Sequence, residues 1–389
     1  MKPTIFSLVF LLVMGTAYAQ SDDRPSDEKL NEYMDFLQSM PESPKDYIFR
    51  LFETYDNVVV CERDHRDMTQ YELYFDIVTD ERFQGGNILM EVGVSNAFEE
   101  INDFLRDKSL SEDQVEQRLI SILRRIDYYP LWEKTNYPVF LRKLHYYNRE
   151  LPQEKQVTVY PVDVPFSWEE MDNRREYERF RRQFARYPGR DSVMGLQMVE
   201  RIGQIAADPS RNKRCLILMN NYHADFNVSR SASAYVKRAF PEETVNVMVS
   251  WMRQDREQGR YFLLDEGRWD AAFKWMGIRE AGFDLAGTPF GRTPANQYHD
   301  RYTADHQIEN VFHGFIFYRP IEEIVLSQGY PGLIDKGFRA EMRRRNRVLL
   351  GSFKAFFAGA QENYYNRVRT WKYEDLDHQK LQRDRWLHR

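Results

Sequence analysis

Acids and imidazoles recur in this chain at the ends of short apolar runs. One run leads into Cys61, Glu62, Arg63, Asp64 and His65, a second into Glu91, a third into Asp163, and a fourth into Asn220, Asn221, Tyr222 and His223. A fifth leads into Trp251 and Arg253. Singly, each has a plain structural explanation: a helix cap, an ion pair with an arginine, a satisfied loop histidine. Together they describe something else. Carboxylates and imidazoles gathered in one cleft shift one another's pKa values, which general acid-base chemistry requires.

The elements that must position them alternate along the chain. Apolar, β-branched runs at 57–60, 87–90, 157–160, 215–219, 245–249 and 311–317 predict strands. Helical spacing predicts helices over 28–40, 44–55, 68–80, 111–126, 137–149, 167–186, 192–207 and 231–240, the one at 111–126 with a Ser111/Gln114 capping box. Strands that are apolar throughout belong to a mainly parallel sheet covered by helices on both faces. The expected class is therefore α/β with extra C-terminal helices, and ligands of such sheets sit beyond the strands' carboxyl ends. Residues 261–302 read as a long loop region holding one helix at 269–275, and 335–369 as one or two long helices.

Bulk properties narrow the function further. Net charge is -5 with acids and bases interspersed, so no nucleic-acid footprint is expected. The basic run Arg339 to Arg347 reads as a solvated helix face. Lys2, the apolar stretch Ile5 to Met14 and the Ala17-Tyr18-Ala19 ending form a secretory signal over residues 1–19, so export to a periplasm or the exterior is expected, with no membrane insertion after cleavage. Residues 20–27 then read as a mobile lead-in, 28–372 as one α/β domain and 373–389 as a charged, loosely held tail. Cys61 and Cys215 fall at opposite ends of predicted strands, too far apart to pair. His299, His306 and His313 recur every seven residues, but Pro294 and the strand-like run after 310 argue against a shared helix face and a metal site there.

The same segments carry a family resemblance. NVVVCERDHRD resembles the strand-Gly-Glu-x-x-His entry of the erythromycin esterase-like superfamily, which includes haem-binding iron-uptake lipoproteins and, more distantly, Tiki-type metalloproteases. NILMEVG, VTVYPVDV, GRDSVMGLQMVERI and CLILMNNYHADF resemble that family's later motifs, in order, over about 58–226. The resemblance implies a reactive set of Glu62, His65, Glu91, His223 and Arg190. Asp163, Asn220 and Tyr222 are the expected substrate contacts. Two residues depart from the family pattern: Cys61 replaces its Gly, and Asn220 replaces the first His of its exit motif.

Three functions suit this set. In the first, an exported hydrolase cleaves ester or related acyl bonds of a small organic substrate, with His65 as general base, His223 and Arg190 facing the oxyanion, and no cofactor required. In the second, a non-catalytic protein of the same fold binds haem or a metal ion, with Tyr222, Tyr298 and Tyr302 at the rim. In the third, Glu62, His65, Glu91 and His223 hold a divalent metal for peptide or amide hydrolysis.

Overall fold

The computed structural model of the chain describes residues 24–39, 42–126, 128, 135–185, 189–255, 259–350 and 358–388. The expected secretory signal lies outside these residues. The fold is mixed α/β. The described residues form eleven strands: β1 Asn57–Glu62, β2 Asn87–Val94, β3 Thr158–Asp163, β4 Cys215–Asn220, β5 Thr244–Val249, β6 Met252–Asp255, β7 Arg260–Leu263, β8 Glu280–Asp284, β9 Gly314–Tyr318, β10 Leu326–Gln328 and β11 Arg369–Trp371. Seven form the central sheet, in the order β3-β2-β4-β1-β5-β9-β8. Every pairing in it is parallel except the edge pair β8 and β9. Among the described residues, no helix is long and apolar enough to cross a membrane.

Period-two alternation splits the core in two. Val58 and Val60 of β1 face one layer together with Ile88, Leu216 and Val247. Val59 and Cys61 face the other, with Leu89, Ile217 and Met248. All are fully buried, each contributing on the order of 1.5–3 kcal/mol for an aliphatic side chain. The first layer is closed by helices Pro44–Leu51, Met68–Val78, Phe98–Arg106, Glu112–Arg125 and Asn136–Arg149, and the second by Glu28–Ser39, Gly189–Ala207, Ala232–Ala239 and Arg268–Trp275. The capping box forms as expected, with Ser111 N–H donating to Gln114 Oε1 at 2.9 Å. Cys215 sits opposite Asn57, four residues along β1 from Cys61, and both thiols are free and buried.

Several elements differ from the sequence reading. β3 runs to Asp163, so that acid belongs to the strand's last position. The stretch expected to be one helix over 167–186 breaks into a short turn at Trp168–Glu170 and a helix Arg174–Ala185, because Asn173 Oδ1 accepts from the N–H groups of Arg175 and Glu176 and starts the helix late. The expected strand at 311–317 begins at Gly314, and β8 emerges from the presumed loop region. The basic run is only partly solvated. Arg345 is buried, donating to Glu341 Oε1 at 2.7 Å and to the Arg124 carbonyl at 2.6 Å, with its guanidinium over the Trp168 ring.

The tail is not loosely held. Tyr373, Gln379, Arg383 and Trp386 are buried, and the helix Leu376–Asp384 packs beside β7. It docks on a turn where Asp265, Glu266 and Gly267 all adopt positive φ (46°, 56° and 89°). A Cβ at Gly267 would meet the Gln382 carbonyl oxygen at 2.8 Å, so only glycine fits. From the other side the helix Glu28–Ser39 grips the same turn: Lys29 Nζ lies 2.8 Å and Tyr33 Oη 2.9 Å from the Asp265 carboxylate.

Candidate functional site

Four strand ends meet at one rim. β1 ends on Glu62, and the following turn is fixed by its own side chains: Arg63 N–H donates to Gln70 Oε1 at 2.8 Å, Gln70 Nε2 to the Asp64 carbonyl at 2.6 Å, and Asp67 caps the next helix through Thr69 N–H at 2.7 Å. Asn136 donates to the His65 carbonyl at 2.8 Å. The imidazole is therefore presented by a pinned backbone. Its Nδ1 lies 2.7 Å from Glu62 Oε2 and its Nε2 3.7 Å from Glu91 Oε2.

Glu91 is the hub. It sits just where β2 loses register with β3: Met90 pairs with Pro161, but Val94 pairs with Asp163, so three residues span what one does opposite. Gly93, at φ 106°, makes this bulge possible, and a Cβ there would lie 3.0 Å from that of Pro161. The Glu91 carboxylate accepts from the Asn220 N–H at 3.1 Å and from Arg190 Nη2 at 3.1 Å, and lies 3.3 Å from His223 Nε2. Asp163 holds the same guanidinium as a fork, at 2.8 Å to Nε and 2.9 Å to Nη2, while accepting from the Val164 N–H.

The electrostatics follow from this packing. Burial opposes the charged form of each imidazole but is outweighed. Glu91 and Glu62 raise His65 to about 9, and Glu91 and Asp191 raise His223 to about 10. Burial likewise opposes ionisation of Glu91, yet His223, His65 and Arg190 hold it well below the usual carboxylate range. Both imidazoles are thus cationic at neutral pH.

All five members of the expected reactive set come together. Their exposures divide them. A cleft of about 970 Å³ opens over the rim, and His65, Asn220 and Tyr222 line it. Glu62, Glu91, Asp163, Arg190 and His223 do not line this cleft; Glu62, Glu91, Asp163 and His223 are buried beneath the rim. Asp163, expected as a substrate contact, does not line this cleft, and Arg190 and Val164 take three of the acceptor positions of its carboxylate. His223 and Arg190 both point their donors at the hub rather than at an oxyanion in this cleft, with Arg190 Nη1 3.2 Å from His223 Nε2.

The four-residue metal set is also revised. Glu62, His65 and Glu91 offer ligand atoms within 4.8 Å of one another. His223 stands apart because Asp191 Oδ2 takes its Nδ1 at 2.8 Å and a guanidinium sits against its Nε2. Asp191 was missed by the sequence reading, although it adjoins Arg190 in the same motif. The heptad-spaced histidines do not share a site: His313 Nε2 lies 3.3 Å from Asp284 Oδ1, His306 adjoins Thr303, and His299 lines the cleft. Of the three rim tyrosines, Tyr298 is buried and Tyr302 donates its hydroxyl to Asp225, leaving Tyr222, 50% exposed, as the accessible one.

No protein-family model matches this chain, and no curated protein matches it in sequence, so the erythromycin esterase-like resemblance rests on its motifs. Two solved structures are similar in the course of the backbone. One is a succinoglycan biosynthesis protein, 8% identical, with a TM-score of 0.46 over 75% of this chain and 97% of that one. The other is ChaN of Campylobacter jejuni, described with cofacial haem binding, 13% identical, with a TM-score of 0.36 over 57% of this chain and 91% of that one. Likeness this remote carries none of their chemistry over to this chain.

Proposed function

We propose that the protein is an exported hydrolase of ester or related acyl bonds in a small organic substrate. One observation carries this: His65, braced between two buried carboxylates, opens with Asn220 into a cleft of substrate size. In its neutral form His65 Nε2 takes a proton from water as the hydroxide adds to the acyl carbon. The imidazolium so formed lies between Glu62 and Glu91, whose charges stabilise it, and the same proton passes to the departing alkoxide. Acid and alcohol result. Asn220 Nδ2, 3.3 Å from His65 Nε2, is placed to donate to the developing oxyanion. Arg190, Asp163, His223 and Asp191 act from behind by fixing Glu91.

A second reading has its own support, the convergence of Glu62, His65 and Glu91. The Glu62 carboxylate is buried, with His65 Nδ1 2.7 Å from Oε2 and the Tyr71 hydroxyl beside it. A two-carboxylate, one-imidazole donor set fits a divalent cation such as zinc or manganese. When bound there, the cation would supply Lewis acidity and a more acidic water.

Purified mature protein should hydrolyse members of an ester panel, and His65→Ala and His223→Ala should each abolish that turnover. Activity retained in both variants discards the assignment. Metal analysis with a chelator test separates the two readings: chelator-insensitive turnover supports the first, bound metal with chelator loss the second. A haem absorbance band that depends on Tyr222, without turnover, would replace both.

A further inference from the structure

The walls of the cleft are charged, yet among the described residues those charges have partners. Arg63 Nε donates to Asp67 at 2.7 Å, Arg66 lies 2.8 Å from Asp64, Arg253 lies 2.8 Å from Asp300, and Arg301 lies 3.7 Å from buried Asp225. A charged ligand would have to strip a guanidinium or a carboxylate from its partner, and the repayment at a solvent-open wall is small. An uncharged ligand meets no such cost. Paired guanidiniums keep spare N–H groups and paired carboxylates keep spare lone pairs, and a hydroxyl, which donates and accepts at once, can use both.

The aromatic residues add the second half of the pattern. Tyr222 stands half exposed at the rim with the Arg301 guanidinium 5.0 Å from its ring centre. Trp251 and Tyr261 are half-buried in the same wall, and the Trp251 indole N–H is bonded to the Tyr298 carbonyl at 3.3 Å, which fixes the ring. Fixed aromatic faces beside hydrogen-bonding edges match a ligand with apolar C–H faces and a girdle of hydroxyls. At about 970 Å³ the cleft lies at the upper end of small-molecule sites, more than a simple alkyl ester needs.

We propose that this cleft receives a neutral oligosaccharide, and that the acyl group removed at His65 is an ester on one of its hydroxyls. The second clause rests on the hydrolase reading above; the first does not. Calorimetric titration with cellotetraose and xylotetraose should give saturable binding of at least one, weakened at least fivefold by Trp251→Ala and by the surface change Tyr222→Ala, and unchanged by Trp275→Ala, an exposed indole that does not line the cleft. Acetylated forms of the same sugars should release acetate. If neither sugar binds while p-nitrophenyl acetate is hydrolysed, the ligand class is wrong and the hydrolase stands. Binding without acetate release from any ester leaves the ligand class and ends the hydrolase reading. Failure of both assays ends both.

Discussion

Of two ionic assemblies that each join distant parts of the chain, one at the sheet rim and one at the turn 265–267, the rim opens on the cleft and the turn does not. At the sheet rim, Glu62, Glu91, Asp163 and Asp191 surround His65, His223 and Arg190. At the turn 265–267, Asp265 is held by Lys29 and Tyr33, Asp27 by Arg268, and the Glu266 carbonyl by the Trp386 indole N–H. The rim contains imidazoles that lose their charge at about pH 9 and about pH 10 and a member facing a large cavity; the turn contains neither, and ties two helices together. Burial of ion pairs alone therefore does not mark a reactive site, whereas adjustable charge beside an open cavity does.

This contrast can be broken at several points. The largest effect should come from His65→Ala, which should lower ester turnover by on the order of 10³-fold, within the range for loss of a general base, while urea unfolding of the variant shows a fold no less cooperative than the parent. Should turnover survive, the rim is another structural tie. Asp265→Ala should do the reverse. It should cost about 1–2 kcal/mol of stability by removing the carboxylate that the Tyr33 hydroxyl and Lys29 share, Thr293 remaining as a partner of the hydroxyl, with kcat per folded molecule unchanged.

The third test is pH. His65 and His223 are raised in the folded state from about 6.5 to about 9 and about 10, so their stabilisation is complete below pH 6.5 and is lost as pH climbs through those values. Thermal melts of cation-free protein should fall from pH 6.5 to 10, and His65→Ala should flatten the fall while Asp265→Ala leaves it in place. Turnover should move oppositely and rise toward pH 9, because the neutral imidazole makes up roughly one in a hundred molecules at pH 7. The smallest effect belongs to Glu266→Gly. Relief of a left-handed backbone is nearly cancelled by glycine's greater freedom when unfolded, so the melting midpoint should shift by less than about 1 kcal/mol equivalent.

The rim was legible in the sequence because parallel strands announce themselves as apolar runs and their ligands follow directly: Glu62 and His65 after NVVVC, Glu91 after NILM, Asn220 and His223 after CLILM. Asp191 escaped because its partner His223 lies 32 residues away and nothing local distinguishes it from a helix-start acid. The turn at 265–267 escaped for a different reason. Its inward-facing partners on the last helix are Gln379, Arg383 and, beyond it, Trp386, a helical stripe that is mostly polar and so invisible to hydrophobic spacing. β8 was hidden likewise, since Glu280, Ala281 and Gly282 carry no β-branched signal.

The kink that Gly93 permits in β2 has a corollary for how this architecture can vary. Glu91 must meet a guanidinium, two imidazoles and a backbone amide at once, and its approach angle is set by three residues spanning one opposite. Lengthening, shortening or stiffening that arc would rotate the carboxylate away from several partners together, so the arc behaves as a tuning screw for the whole rim. Chains that share this sheet but perform other chemistry should differ first in the length of that segment.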